Sequence, residues 1–104
     1  MDPLRIITGP RRLQILELVW EKELSAGDIA RRFDVTWGAV SQHITVLRNA
    51  GYLTERRAGT TRYYRANKEA LGALRVVVED HWRTKLSRLK MLAEAAQRAK
   101  DSEE

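Results

Sequence analysis

The chain of 104 residues contains no cysteine. That excludes a disulfide framework, a thiolate nucleophile and any cysteine-ligated metal site. Its two histidines, His43 and His81, lie far apart in sequence, and it has no glycine-rich phosphate loop or recognisable catalytic triad. An enzyme is the least expected class. No stretch approaches the roughly 20 apolar residues needed to cross a bilayer. The opening, Met1-Asp2-Pro3-Leu4-Arg5, lacks the basic stretch and apolar run of a secretory signal. A soluble, cytoplasmic protein is therefore expected. With no linker, internal repeat or low-complexity segment, a single domain over 1–104 is the expectation at this length.

What is present is an uneven charge. The chain carries 19 Lys plus Arg against 14 Asp plus Glu, a net of +5. Residues 31–65 hold seven arginines (Arg31, Arg32, Arg48, Arg56, Arg57, Arg62, Arg65) and two acids (Asp34, Glu55). The remaining 69 residues are balanced, with 12 basic and 12 acidic side chains. All of the excess thus sits in one contiguous segment. Arginine's planar fork suits bidentate contact with phosphate or guanine, so a polyanion is the first partner to consider.

Helical and strand periods divide the chain. Gly9-Pro10 breaks it, and Leu13, Leu16 and Val19/Trp20 recur at helical spacing, predicting a helix over about 10–22. Leu4, Ile6 and Ile7 before it predict a further helical turn or arm. Ser25 followed by Asp28 fits a variant capping box, opening a short helix that ends near Phe33. Asp34-Val35 makes a tight turn, and Thr36 caps a second helix that runs to about Asn49, closed by Gly51. Two short helices so joined form a helix-turn-helix. After Gly51 the period becomes two. Residues 52–57 and 61–66 read as strands around the turn Ala58-Gly59-Thr60, giving a hairpin with a basic tip. Asn67 caps a long last helix over about 68–99, with Leu71, Leu74, Val78, Trp82, Leu86 and Leu89 on one face. Residues 100–104 are expected to fray.

The order helix, helix-turn-helix, hairpin, long helix is that of a winged helix-turn-helix, a mainly α fold with a small β-hairpin and a long C-terminal helix. The residues resemble the ArsR/SmtB family of bacterial transcription repressors. The resemblance is carried by Pro10-Arg11-Arg12-Leu13-x-Ile15-Leu16, by Glu23-Leu24-Ser25-Ala26-Gly27-Asp28-Ile29-Ala30 and by Gly59-x-x-Arg62-Tyr63-Tyr64-Arg65. Its most diagnostic stretch is Val40-Ser41-Gln42-His43-Ile44-x-x-Leu47-Arg48-x-Ala50-Gly51-Tyr52-Leu53. It covers roughly residues 3–75 and continues in shape through the last helix. It implies a DNA-binding core over about 10–67, a dimerisation helix over about 68–99 and repression by occlusion of an operator.

The chain departs from the family where metal-sensing members carry two cysteines, positions filled here by Ser25 and Gly27. The family's other metal site needs an acid and several histidines on the last helix, where only Glu79, Asp80 and His81 are available. Ligands adjacent on one helix cannot close a tetrahedral site within one chain. Neither metal nor cofactor is expected, as in the subgroup without metal sites.

At about 100° per residue, Val40, Ile44 and Leu47 fall on one buried stripe of the second motif helix. Gly38, Gln42 and Thr45 lie roughly opposite, with Ser41 on the flank, as the surface a major groove would receive. Gln42 can pair bidentately with adenine, and Ser41 and Thr45 can reach bases or phosphates. Two readings are open for His43, a packed histidine or a phosphate ligand, and two for Trp37, the groove edge or a cover over the core. Thr36, Arg48, Arg56, Arg57, Thr60, Thr61 and Arg62 complete the candidate DNA surface. Double-stranded DNA and a second copy of the chain are the expected partners. Leu74, Val78, Trp82, Leu86 and Leu89, with Ile6 and Ile7, are the candidate dimer interface. Two alternatives compete: a winged-helix module for protein contacts, since fold does not fix function, and a small-molecule site between subunits near Trp20, Trp82 and His81.

Overall fold

In the computed structural model, residues 2–102 are described. The order is α1 (Pro3–Thr8), α2 (Pro10–Leu18), β1 (Leu24–Ser25), α3 (Ala26–Ala30), α4 (Trp37–Asn49), β2 (Leu53–Ala58), β3 (Thr61–Ala66) and α5 (Lys68–Leu71). A 3₁₀ turn (Gly72–Leu74) then leads into α6 (Arg75–Ser102). This is a winged helix-turn-helix, with α3 and α4 as the motif and β2–β3 as the wing.

The helix starts follow the capping logic of the sequence. The Asp2 carboxylate accepts from the Leu4 N–H and Pro3 fills the first turn of α1. Ser25 accepts from Asp28 N–H at 3.1 Å, Thr36 from Ala39 N–H at 3.2 Å, and Asn67 from Ala70 N–H at 3.2 Å. Helix α4 ends in a paired return: Tyr52 N–H donates to the Leu47 carbonyl and Gly51 N–H to that of Arg48. That pattern needs a left-handed residue, and Gly51 supplies it at φ +85°.

Three expectations about boundaries fail for identifiable reasons. Helix α2 stops at Leu18 rather than near 22, because the Val19 carbonyl accepts from the Ala66 N–H at 2.9 Å and is lost to further helix. The chain then turns back as β1, which sequence reading misses. Its two residues, Leu24 and Ser25, pair antiparallel with Tyr64 and Tyr63 of β3, giving the sheet order β1-β3-β2. The expected single helix over 68–99 is interrupted at Gly72, whose φ of +55° no L side chain adopts cheaply. Helix α6 also runs on through Ser102, so the frayed tail is absent over 100–102, and residues 103–104 lie outside the described part.

The core is one cluster drawn from every element: Ile7, Ile15, Leu16, Val19, Ile29, Val40, Leu47 and Val78 are its fully buried side chains. Each aliphatic side chain so buried contributes about 1.5–3 kcal/mol relative to exposure. Four candidate dimer residues are taken up here: Ile6, Ile7 and Val78 are buried within the chain and Leu74 is packed against them. From Glu79 to Ser102 every residue of α6 is exposed. Among the described residues, no helix is long and apolar enough to cross a membrane.

Because a Cβ on Gly72 meets no atom within 4 Å, Gly72→Ala tests backbone strain alone. We expect the substitution to destabilise the fold by about 1–3 kcal/mol, read as a lowered Tm. An unchanged Tm would show that the segment relaxes into continuous helix.

Candidate nucleic-acid interface

Helix α4 has one face to bury and one to offer. Val40, Ile44 and Leu47 are buried as their spacing predicts, while Gly38, Ser41 and Gln42 are exposed on the other side. A Cβ at Gly38 would meet nothing within 4 Å, so this part of the helix is open to an approaching surface. Thr45 is half-buried, and its hydroxyl donates to the Ser41 carbonyl at 2.9 Å. The Thr36 hydroxyl is engaged as the cap. Trp37, on the first turn, is 54% exposed and stands clear of the core.

His43 lies beside α2. It is half-buried, with Nδ1 3.4 Å from Nη1 of Arg12 on α2. Arg12 is itself anchored: its Nε–H donates to the Ile6 carbonyl at 2.6 Å and Nη2–H to that of Arg5 at 3.2 Å. One guanidinium thus closes the end of α1 and touches α4. Sequence reading misses Arg12, since nothing in a basic residue on an amphipathic helix announces such a role. Burial, and then the charges of Arg12 and Arg11, hold the His43 pKa below its ordinary value of 6.5.

The wing arginines divide by strand register. Arg57 lies directly opposite Arg62, and Glu55 opposite Tyr64, on the same face as the buried Leu53 and Ala66. Glu55 is the hub of this face. It accepts from the Tyr64 hydroxyl at 2.9 Å, and lies 3.5 Å from Arg48 of α4 and 3.9 Å from Arg62. The Tyr64 hydrogen bond, then the Arg62 and Arg48 charges, hold its carboxyl below the usual range. Arg56 lies on the opposite face, held by Glu23 at 2.5 Å and stacked 4.7 Å from the Tyr63 ring centre. Arg57 has no ion-pair partner among the described residues. The structure therefore groups Arg48, Arg57 and Arg62 and leaves Arg56 apart. At the tip, Gly59 adopts φ +62° in a two-residue turn, with Thr60 exposed and Thr61 half-buried.

Ser25 Oγ is committed to the α3 cap, Gly27 has no side chain, and His81 Nδ1 contacts the Glu17 carboxylate of α2. No group of three or more His, Asp or Glu side chains with metal-binding proximity occurs among the described residues. Of the remaining candidate dimer residues, Trp82, Leu86 and Leu89 are all exposed on α6.

Known proteins share this arrangement. The sequence model of a family described as bacterial regulatory protein, arsR family, matches residues 9–55. The chain is 39% identical over 74 residues to the HTH-type transcriptional regulator Rv2034 of Mycobacterium tuberculosis, covering 71% of this chain and 68% of that protein. It is 33% identical over 67 residues to the transcriptional repressor SdpR of Bacillus subtilis, covering 64% and 74% respectively. A crystal structure described as a possible transcriptional regulator for arsenical resistance aligns over 88% of this chain and 95% of its own, at 33% identity and a TM-score of 0.67.

The lowered His43 pKa has a signed consequence. Above pH 6.5 the ring is neutral in folded and unfolded chains alike. Below it the unfolded chain takes up the proton first, so His43 costs stability as pH falls from about 6.5 to its depressed folded value. His43→Gln removes that titration while keeping a polar partner for Arg12. The variant should lose less Tm than the parent between pH 7.5 and 5.5; equal losses would remove His43 from the account.

Proposed function

The chain belongs to the arsR family of bacterial regulatory proteins and is a DNA-binding transcriptional regulator, and we propose that it is a homodimeric repressor that blocks an operator by occupying it. The observation that carries the reading is a single surface. Helix α4 exposes Gly38, Ser41 and Gln42 on its polar side, and its Arg48 meets Glu55 on the wing face where Arg57 and Arg62 stand opposite each other. Like charges directly opposed across two strands cost stability unless an anion lies near. Glu55 neutralises part of that charge, and a phosphate backbone would neutralise the rest.

In this reading α4 enters the major groove, with Gln42 reading an adenine edge and Ser41 within reach of bases or phosphates. Trp37 lies at the groove edge. Arg48, Arg57, Arg62, Thr60 and Thr61 meet the backbone beside the wing. Arg56, Thr36, His43 and Thr45 serve chiefly to shape the surface, through the bonds described above. A monomer reads too few base pairs to select one site in a genome. Two-fold pairing would place two copies of α4 about 34–36 Å apart, one turn of DNA. Leu89, 53% exposed beyond the winged core, is the anchor proposed for that pairing. The repressor role is supported by the name of the relative SdpR and by a core whose DNA-facing surface would cover promoter sequence.

Genomic footprinting with purified protein tests the whole reading. A palindromic footprint that overlaps a promoter and lowers transcription in vitro supports repression, and raised transcription from the same site would make the protein an activator. Gln42→Ala should cost about 1–3 kcal/mol of discrimination at one base position, whereas Arg62→Ala should weaken all sequences alike and flatten the salt dependence. Loss of general affinity only in both variants would remove Gln42 as a reader. Leu89→Glu should shift light scattering from dimer to monomer mass, and a parent that is already monomeric at micromolar concentration would end the dimer proposal.

A further inference from the structure

Outside α1 and α6, the large apolar side chains left exposed among the described residues are Val35 and Trp37. They stand on either side of Thr36, whose hydroxyl caps α4. Trp37 is more than half exposed and lies outside the set of half-buried side chains that pack against the core. Among the described residues its ring carries no cation, unlike the rings of Trp20, Phe33, Tyr63 and Trp82. Neither packing nor a charge therefore accounts for an indole at this position.

Its neighbours on α4 supply the context. At about 100° per residue, Trp37 stands one turn before Ser41 and about 40° from it around the helix. Gly38 and Gln42 form the adjacent line, and Gly38 has no side chain to hold a partner away from the ring. Helix α4 carries no Asp or Glu, so nothing acidic on it opposes approach to a phosphate backbone. In a helix-turn-helix, the N-terminal residues of the second helix are those that contact base edges. Base edges in the major groove present polar donors and acceptors, with one apolar group, the C5-methyl of thymine. A flat apolar ring at the leading end of α4 matches that group.

We propose that Trp37 is a base-reading residue, its indole face packed on the C5-methyl of a thymine, so that each copy of α4 selects T·A at one position. The inference rests on the placement of α4 in the major groove and adds a second reader to it. The two readers differ in chemistry. Gln42 selects adenine by paired hydrogen bonds, whereas Trp37 selects thymine by excluding water from its methyl group.

The probe is a duplex that the full chain recovers from a randomised library of about 30 bp, room for two half-sites one turn apart. Each thymine of that duplex is replaced in turn by deoxyuridine, which removes the methyl and leaves the hydrogen-bonding edge intact. At one thymine per copy of α4, the replacement should weaken binding about fourfold, the worth of one buried methyl group. Trp37→Ala should bind the thymine and deoxyuridine duplexes equally, and Trp37→Phe should keep a preference for thymine. The alanine variant should melt with the parent; a lowered Tm would assign the ring to the core and overturn the proposal. A fourfold loss that persists in Trp37→Ala would give the methyl to another residue. A variant weakened on every sequence alike would place the ring on the sugar–phosphate backbone. Either result overturns the proposal. If Gln42→Ala still relaxes one base position of the same duplex, the groove reading survives that failure. A library that yields no enriched sequence ends both.

Discussion

Burial of one stripe of α4 governs the rest of the molecule. Val40, Ile44 and Leu47 are sequestered at 4% exposure or less, and no second face of that helix is apolar enough to be buried instead. Helices α2 and α3 and strand β2 all pack against α4, and Ile15, Leu16, Ile29, Leu53 and Tyr64 are buried in the same cluster as the stripe. Removing Leu47 to alanine would cost about 2–5 kcal/mol, a large share of the stability of a small domain. Once the stripe is fixed, the helix has no rotational freedom left. Gly38, Ser41 and Gln42 then point outward by geometry alone, so the core determines which residues can meet DNA.

Electrostatics refine that surface. The arginine-rich segment is not uniformly free: Arg31 pairs with Asp28, Arg56 with Glu23, and Arg65 donates to the Glu21 carbonyl. Glu55 collects Tyr64, Arg48 and Arg62 at the seam between α4 and the wing. A single acid at that seam fixes the wing against the helix, since it draws one arginine from each. What is left over on the wing, Arg57 and part of Arg62, lies on the α4 side. The excess charge legible in composition is thus reduced, but also aimed.

Local chemistry was the legible part of the fold. Ser25, Thr36 and Asn67 each cap the helix their sequence context predicts, and Gly51 and Gly59 take the left-handed conformations their positions require. Such signals are short-range and depend on one side chain and the backbone beside it. The early end of α2 and the strand β1 were not legible, because both depend on β3, some 40 residues away in sequence. Two residues are too few to display a period. The break at Gly72 was visible as a residue type yet outweighed by the regular spacing around it. At the interface, the split between Arg56 and Arg57 becomes apparent only with strand register, and the anchoring of Arg12 only with α1 in place.

Helix α6 raises a different question, because packing does not account for its length. At 28 residues it spans about 42 Å, yet only Val78 is buried and every residue beyond it is exposed. Its distal sequence is rich in Ala, Leu, Lys and Arg, strong helix formers, so helix can persist there without tertiary support. Propensity explains the helix but not its apolar face. Leu89 and Leu92 continue the line that starts at Val78 and Trp82, and all three beyond Val78 remain in water. The line therefore has two physical segments. Near the core, Trp82 and Leu86 face α2 and the turn that follows α3. Beyond the core, Leu89 and Leu92 face no part of their own chain. A second copy of the chain, as proposed for the dimer, would cover both segments as one continuous seam.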